Sequence, residues 1–157
     1  MNTMIRRLAP IGLLALTAGL APAAAALKSD SVVKATAAAG KVGPDGKQTV
    51  TLTLAIDKGW HLYANPVGNA DLASVQTIVK AAAKGSLGDV KVDYPAGTKV
   101  KDSDLGDYMV YEDQAVIAVN VTRAAGDDSP VELTVKVQAC NKNTCLLPAE
   151  MKVKAAP

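Results

Sequence analysis

The feature that most constrains this chain is a series of short segments in which apolar and polar residues alternate. In the clearest of them, residues 48–56 (QTVTLTLAI), every second residue from Val50 to Ile56 is aliphatic. A period of two gives a β-strand one face toward a core and one toward solvent. Similar runs cover residues 31–39, 74–82, 90–94, 115–123, 131–139 and 149–155. About seven or more short strands are therefore expected.

The segments between these runs are rich in turn-forming residues. They include VGPDGK, KGSLGD and AAGDDSP, whose Gly, Pro, Asn and Asp residues favour tight connections. Only NADLASVQ suggests a short helical turn, and no long helical pattern separates the strands. This spacing predicts an all-β, immunoglobulin-like antiparallel sandwich over residues 27–157. Phe is absent and Trp60 is the single tryptophan, so the core is expected to be mainly aliphatic.

The N-terminus has the pattern of an export signal. Arg6 and Arg7 precede a short apolar stretch, and the run of alanines that follows contains an A-x-A cleavage pattern. The apolar stretch is shorter than the ~20 residues a membrane span needs, which disfavours the alternative of an uncleaved anchor. We predict a signal peptide over residues 1–26, cleavage near Ala26, and an exported or periplasmic protein.

Charge and motifs exclude several classes of function. Loss of Arg6 and Arg7 with the signal peptide leaves 15 basic against 15 acidic residues, without a charged run. A nucleic-acid partner is not expected, because such surfaces need clustered basic residues. The chain also lacks a phosphate-binding glycine loop, a G-x-S-x-G and an H-E-x-x-H motif, so neither a nucleotide nor a cofactor is predicted.

Two smaller features have ordinary explanations. The single histidine, His61, cannot build a multi-histidine metal site, and beside Trp60 it is more simply a surface or packing residue. The acidic residues Asp102, Asp104 and Asp107 lie near Gly106 and are typical of a solvated turn. A calcium site would need more regularly spaced oxygen ligands. No metal site is predicted from these residues.

The only two cysteines, Cys140 and Cys145, flank the four-residue segment NKNT near the C-terminus. If the flanking runs form a hairpin, the two cysteines face each other with Cα atoms ~4.5 to 5.5 Å apart, a distance a disulfide accepts. A disulfide is expected to persist in an oxidising compartment. Closing so short a loop stabilises by only about 2 kcal/mol through chain entropy.

The residues alone leave three interpretations of this pair open. The cysteines can form a redox-active pair, because their contribution as a structural bridge is small. They can instead form an inert hairpin bridge in a non-catalytic binding or adaptor module. A third interpretation is a soft-metal carrier in which Met109 or His61 assists the two thiolates, although the spacing matches no established metal motif.

The second half of the chain resembles the N-terminal periplasmic domain of the thiol:disulfide interchange protein DsbD family. The resemblance rests on YPAG, on Asp102 and Gly106 in a D-x-x-x-G loop, on Tyr111 in a Tyr-x-Asp, and on the VQAC to CLLPAE hairpin. Upstream, DKGWHLYANP is similar to the family's glycine-aromatic-x-L-Y segment. The likeness covers most of residues 31–154.

The resemblance implies an immunoglobulin-like domain in which Cys140 and Cys145 cycle between dithiol and disulfide. A membrane-embedded donor would supply electrons, and exported thioredoxin-fold proteins would receive them, as part of a protein-disulfide reductase activity. The loop from Asp102 to Gly106 would cap the cysteines. His61 and Tyr63, two residues apart on a strand, would lie beside them. The resemblance also places Tyr111 among the neighbours of the site.

Two departures from the family pattern shape these expectations. The cap has Asp104 and Leu105 where the family member used for comparison has aromatic residues. The sequence also ends at Pro157, without the transmembrane and thioredoxin-like domains of the full-length protein. The electron donor is therefore expected to act in trans, unless the domain uses the same scaffold for another purpose.

Overall fold

The computed structural model describes residues 26–155. The predicted signal peptide, residues 1–26, lies almost entirely outside this range. Two short 3-10 turns, Ser29–Ser31 and Ala70–Leu72, are the helical elements in the described part. The described strands, in chain order, are β1 (Val33–Ala39), β2 (Lys47–Ile56), β3 (His61–Tyr63), β4 (Ile78–Ala83), β5 (Leu87–Asp93), β6 (Thr98–Val100), β7 (Tyr108–Glu112), β8 (Gln114–Arg123), β9 (Val131–Val137), β10 (Ala139–Cys140) and β11 (Ala149–Ala155).

The predicted fold class is confirmed: the domain is an all-β, immunoglobulin-like sandwich built from antiparallel sheets. Each of the seven alternating runs overlaps a strand, and the short helical turn falls within NADLASVQ as expected. Strands β6 and β7 were not predicted. In β7, Tyr108 and Val110 are buried on one face and Tyr111 on the other, so no apolar-polar alternation marks the strand.

The strands form three sheets. One has the order β1-β2-β8-β5, the second β11-β9-β4, and the third β10-β3-β7-β6. Strands β2 and β8 are the longest, and their paired inward residues include Leu52 opposite Ile117. With Leu133 of β9, these side chains are fully enclosed in a core of almost entirely aliphatic residues. The sequence predicted this composition.

The third sheet, which we call the small sheet, is buried on both faces. Leu62 and Tyr111 point from one face into the main core. Cys140, Tyr63 and Tyr108 lie on the opposite face. There they form a second cluster, whose buried members are Tyr63, Val67, Tyr108, Val110 and Cys140, with Leu72, Val75 and Val100 packed against it. The small sheet therefore separates the main core from the cysteine.

Within residues 26–155 the structure has no helix with the length and apolarity needed to cross a membrane.

Candidate functional site

Cys140 and Cys145 form a disulfide, with their Cα atoms 4.0 Å apart. The two residues are paired in an isolated antiparallel bridge beyond the β9–β11 hairpin, as the sequence predicted. The Cα separation is slightly shorter than the range expected for an ordinary strand pair. The four-residue loop between them turns the chain back on itself. The pair therefore joins neighbours within one hairpin and does not link separate sheets.

The two sulfur-bearing residues differ sharply in exposure. Cys140 ends β10, belongs to the second cluster and is 2% exposed. Cys145 lies on the return arm, outside the strands, and is exposed. Since an incoming thiol must reach a sulfur atom along the bond axis, Cys145 is the accessible end of the disulfide. Cys140 is enclosed by protein.

The hairpin is held by hydrogen bonds that do not depend on the disulfide. The Asn141 side-chain oxygen accepts from the backbone N–H groups of Asn143 and Thr144, at 2.8 and 2.9 Å. The Leu146 N–H donates to the Ala139 carbonyl at 2.9 Å. These contacts close the turn and join its arms. The hairpin therefore has backbone and side-chain hydrogen bonds of its own in addition to the sulfur–sulfur bond.

Ser29 adds a second clamp from the N-terminal segment. Its hydroxyl donates to the Leu147 carbonyl at 2.8 Å and accepts from the Ala139 N–H at 2.9 Å. The side chain is fully buried. One serine thus joins the strand that leads to Cys140 with the arm that follows Cys145. Sequence reasoning missed this residue, because an isolated serine before a strand has no distinguishing pattern.

Tyr63 is the polar neighbour of the buried sulfur. Its hydroxyl oxygen lies 3.6 Å from the Cys140 Sγ. A disulfide sulfur has no proton, so in this contact the hydroxyl is the donor. Burial raises the pKa of Tyr63, and the nearby Tyr108 and Asp102 raise it further. Tyr63 is therefore a neutral hydrogen-bond donor at pH 7.

Tyr108 extends this environment toward the loop. Its ring centroid is 5.8 Å from that of Tyr63, and it also lies in the second cluster. Burial, followed by the charge of Asp102, raises the pKa of Tyr108. Sequence reasoning did not select Tyr108. Its position immediately after the acidic loop is the feature that could have suggested it.

His61 is the direct cross-strand partner of Cys140 and, on its other side, of Glu112. Its half-buried ring packs edge-on against Tyr63, with centroids 6.0 Å apart. Burial lowers the pKa of His61, and the Glu112 charge partly opposes that effect. The structure places His61 and Tyr63 on the face of the small sheet that carries Cys140.

The loop from Asp102 to Gly106 is an ordered turn. The Asp102 carboxylate accepts from the N–H groups of Asp104 and Leu105, both at 2.8 Å, and these bonds lower its pKa. Gly106 has φ +81, a conformation that favours glycine. Asn69 donates from its side chain to the Leu105 carbonyl at 2.7 Å. The loop is thereby tied to the segment that covers the second cluster.

The acidic residues of this loop do not converge on a common point. The Asp102 carboxylate accepts hydrogen bonds from backbone N–H groups, and the Asp107 carboxylate forms a salt bridge with the Lys99 ammonium group at 2.7 Å. Among residues 26–155, no group of three or more His, Cys, Asp or Glu side chains is arranged to hold a metal ion. Met109, considered as a metal ligand beside the cysteines, lies on the opposite face of the small sheet from Cys140.

Tyr111 is the predicted site neighbour that the structure places elsewhere. Its ring belongs to the main core, on the face of the small sheet that points away from Cys140. Its hydroxyl accepts from the Asn65 N–H at 3.1 Å and donates to the Pro95 carbonyl at 3.1 Å. Val110, the preceding residue, lies on the face that carries Cys140. Because neighbouring strand residues point to opposite faces, Tyr111 points away from the cysteine. Tyr111 is a structural residue here.

The covering of the buried sulfur also differs from the predicted cap. The side chains clustered with Cys140 include Tyr63, Val67 and Tyr108, whereas Leu105 is 53% exposed. Val67 belongs to the segment between β3 and β4, which the sequence did not connect with the cysteines. The Met109 N–H donates to the Val67 carbonyl at 2.8 Å, which ties this segment to β7.

These features fit a known family. A family model described as "Thiol:disulfide interchange protein DsbD, N-terminal" matches residues 28–157. The chain belongs to this family. The family resemblance read from the sequence is thus confirmed, and with it the assignment to thiol–disulfide interchange as a general activity.

Solved structures agree on the fold. The reduced DsbD N-terminal domain of Neisseria meningitidis is 21% identical, with a TM-score of 0.53 over 82% of this chain and 87% of that one. The same organism's DsbD N-terminal domain in complex with the PilB N-terminal domain gives 19% identity and a TM-score of 0.52 over 76% and 80%. The N-terminal periplasmic domain of Proteus mirabilis ScsB gives 16% and 0.51, over 80% and 47%. No curated protein sequence is similar enough to count as a relative.

Proposed function

We propose that this domain is an exported redox relay. In this proposal the Cys140–Cys145 pair takes electrons from a membrane donor and passes them to thioredoxin-fold proteins. The observation that carries the proposal is the unequal exposure of the two cysteines, one buried and one accessible, within a hairpin held by other contacts. Such a pair can open and close without loss of the surrounding fold.

The exchange follows from this asymmetry. In the reduced domain, the Cys145 thiolate attacks a partner disulfide, forms a mixed disulfide and releases one partner thiolate. The Cys140 thiolate then attacks the Cys145 sulfur, which restores the internal disulfide and releases the second partner thiolate. The partner gains two electrons and two protons, and the domain loses the same. A dithiol donor reverses these steps to recharge the domain.

The nature of the partners is supported by chemistry and by likeness. An exposed cysteine residue after a short exposed turn suits a partner whose own reactive cysteine is accessible at its surface. The Neisseria meningitidis DsbD N-terminal domain has been solved in complex with the PilB N-terminal domain. Periplasmic location is supported by the predicted signal peptide and by the periplasmic ScsB domain with the same fold.

The first test is trapping. In Cys140→Ser the remaining Cys145 is exposed, so we expect a stable mixed disulfide with an oxidised thioredoxin-fold protein, because the resolving thiol is gone. In Cys145→Ser the remaining thiol is buried, and adduct formation should be at least about tenfold slower. Non-reducing electrophoresis of timed samples, with the double serine variant as a blank, measures both rates. Equal rates would contradict the assignment of Cys145 as the attacking residue.

The alternative function is an adaptor module with an inert bridge. A measurement of the reduction potential in glutathione and dithiothreitol buffers separates the two. A relay pair should have a potential above about −300 mV, since bridges kept for structure are typically below that value. A bond that resists millimolar dithiothreitol, in a domain that unfolds once the bond breaks, would favour the adaptor.

A further inference from the structure

His61 occupies the middle of a row of side chains on the cysteine-bearing face of the small sheet. Cys140 is its cross-strand partner on β10, and Glu112 is its partner on β7. Directly paired residues of antiparallel strands have Cβ atoms about 4.5 to 5.5 Å apart and interact through their side chains. The imidazole is therefore the nearest basic side chain to Cys140 within its sheet.

The buried position of Cys140 creates a chemical requirement. Only a thiolate attacks a disulfide, and burial in apolar surroundings raises the pKa of a thiol above its usual value of about 8.5. Cys140 packs among Val67, Val110 and Tyr63. Its proton must therefore be removed by a neighbouring group when Cys140 attacks the mixed disulfide on Cys145. Water has little access, because the residue is 2% exposed.

The other titratable side chains around Cys140 are poorly suited to accept its proton. Tyr63 and Tyr108 have raised pKa values and keep their protons at neutral pH. Asp102 is engaged by backbone N–H groups of its own loop. Glu112 is exposed and lies one strand further from Cys140. His61 is the remaining candidate.

The state of His61 suits a proton acceptor. Burial lowers the pKa of the imidazole, so the ring is neutral at pH 7 and has a free lone pair. Within residues 26–155, no hydrogen bond from protein groups engages its ring nitrogens. Its ring lies edge-on to that of Tyr63, whose hydroxyl is 3.6 Å from the Cys140 sulfur.

We infer that His61 accepts the Cys140 proton during resolution of the mixed disulfide, directly or through the Tyr63 hydroxyl. The inference rests on the proposed relay function. The Cys140 S–H bond breaks as the proton passes to the imidazole, and the Cys140 sulfur bonds to the Cys145 sulfur. The partner thiolate leaves with the electron pair of the broken disulfide and takes up the proton from the imidazolium.

The test uses the reduced mature domain and 5,5′-dithiobis(2-nitrobenzoate). Attack by Cys145 releases the first thionitrobenzoate, and attack by Cys140 on the resulting mixed disulfide releases the second. The two absorbance phases are followed from pH 5 to pH 9. For the unaltered domain we expect a second phase that falls at acid pH, where His61 is protonated, and is level through neutral pH.

His61→Gln should slow the second phase by about 100-fold at pH 7, the lower end of the usual contribution of a general base. Its rate should rise with pH throughout the range, because free thiolate then limits the reaction. The first phase should be unchanged, which controls for misfolding. Tyr63→Phe distinguishes the two proton routes, since only a relay through the hydroxyl predicts a slower second phase.

Glu112→Gln is the second variant, and it retains the imidazole. Glu112 raises the pKa of His61, so its removal should move the acid limb of the second phase to lower pH and leave the level region unchanged. If the second phase of His61→Gln keeps the level pH profile of the unaltered domain, the inference about His61 is wrong and the proposed relay function is unaffected. A second phase missing from the unaltered domain would instead count against the relay.

Discussion

The main core and the second cluster differ in the kinds of side chain that they bury. The main core joins the two longest strands to β9 through fully enclosed aliphatic side chains such as Leu52, Ile117 and Leu133. The second cluster is formed by two- to five-residue strands and by a loop segment, and it contains Tyr63 and Tyr108 beside the sulfur of Cys140. Two tyrosine hydroxyls therefore lie beside the buried sulfur, whereas the fully enclosed side chains of the main core are aliphatic.

This difference indicates that the main core provides most of the stability, whereas the second cluster surrounds the reactive disulfide. Aliphatic burial provides most of the free energy of folding, in proportion to the area removed from water. A relay domain must remain folded while its disulfide opens and closes. The small sheet stands between the two layers, with Leu62 on the core side and Cys140 on the other. Changes around the sulfur can therefore occur without repacking of the main core.

The largest expected effect comes from removing a main-core side chain. Leu52→Ala should lower the free energy of unfolding by about 2 to 5 kcal/mol, because it leaves a cavity among enclosed neighbours. The matched change Leu72→Ala, at the partly buried edge of the second cluster, should cost less than about 2 kcal/mol, since that site keeps contact with water. Urea unfolding measures both.

The same two variants should behave in the opposite order in a chemical assay. Leu72→Ala should speed reduction of the disulfide by dithiothreitol, because it loosens the cover of the sulfur. Leu52→Ala should leave that rate unchanged at temperatures where it is folded. If Leu52→Ala speeds reduction as much as Leu72→Ala, the two layers are coupled and the separation is wrong.

A smaller effect is expected from the disulfide itself. Cys140→Ser combined with Cys145→Ser should lower the free energy of unfolding by about 2 kcal/mol and leave the domain folded. The physical reason is the short loop, together with the hydrogen bonds of Asn141 and Ser29 that hold the hairpin independently. Thermal unfolding and near-ultraviolet circular dichroism measure the outcome.

Ser29→Ala provides the control for this prediction. It removes the clamp between the two arms, so reduction of the disulfide should destabilise Ser29→Ala more than the unaltered domain. If the double serine variant is unfolded with Ser29 in place, the disulfide is a structural bridge.

The same contrast explains what the sequence could predict. Strands such as β2 and β8 have one buried and one exposed face, so alternation revealed them. The small sheet is buried on both faces and its strands are short, which removes the alternating pattern from β7. The cysteine pairing was predictable because it depends on a local hairpin.

The cover of the site was less predictable, because it depends on contacts between distant segments. Val67, from the connection between β3 and β4, belongs to the same buried cluster as Cys140, and Ser29 binds the hairpin from the other end of the described chain. No local spacing encodes either contact. His61 and Tyr63 were identified through the family resemblance, since neither periodicity nor composition distinguishes them. Tyr111 was assigned to the site on the same basis, although its side chain points into the main core.

The smallest expected effect concerns the loop from Asp102 to Gly106. Leu105→Ser should leave the melting temperature unchanged, because Leu105 is 53% exposed. We expect only a few-fold faster reduction of the disulfide by a water-soluble phosphine, which reacts at acid as well as neutral pH. Asp104→Ser, another exposed change in the same loop, is the matched control. If the phosphine reduces the disulfide at the same rate in both variants as in the unaltered domain, the loop does not act as a cap.

The pH dependence of this loop follows from Asp102. Backbone N–H groups lower its pKa below the usual 3.8, so the ionised carboxylate is the form that holds the turn. The stabilisation is present at neutral pH and is lost as the pH falls through the lowered value. In the unaltered domain, the phosphine rate should therefore approach that of Asp102→Ala only below pH 3.8. Convergence of the two rates near neutral pH would mean that the Asp102 turn does not control access, and that the second cluster alone covers the disulfide.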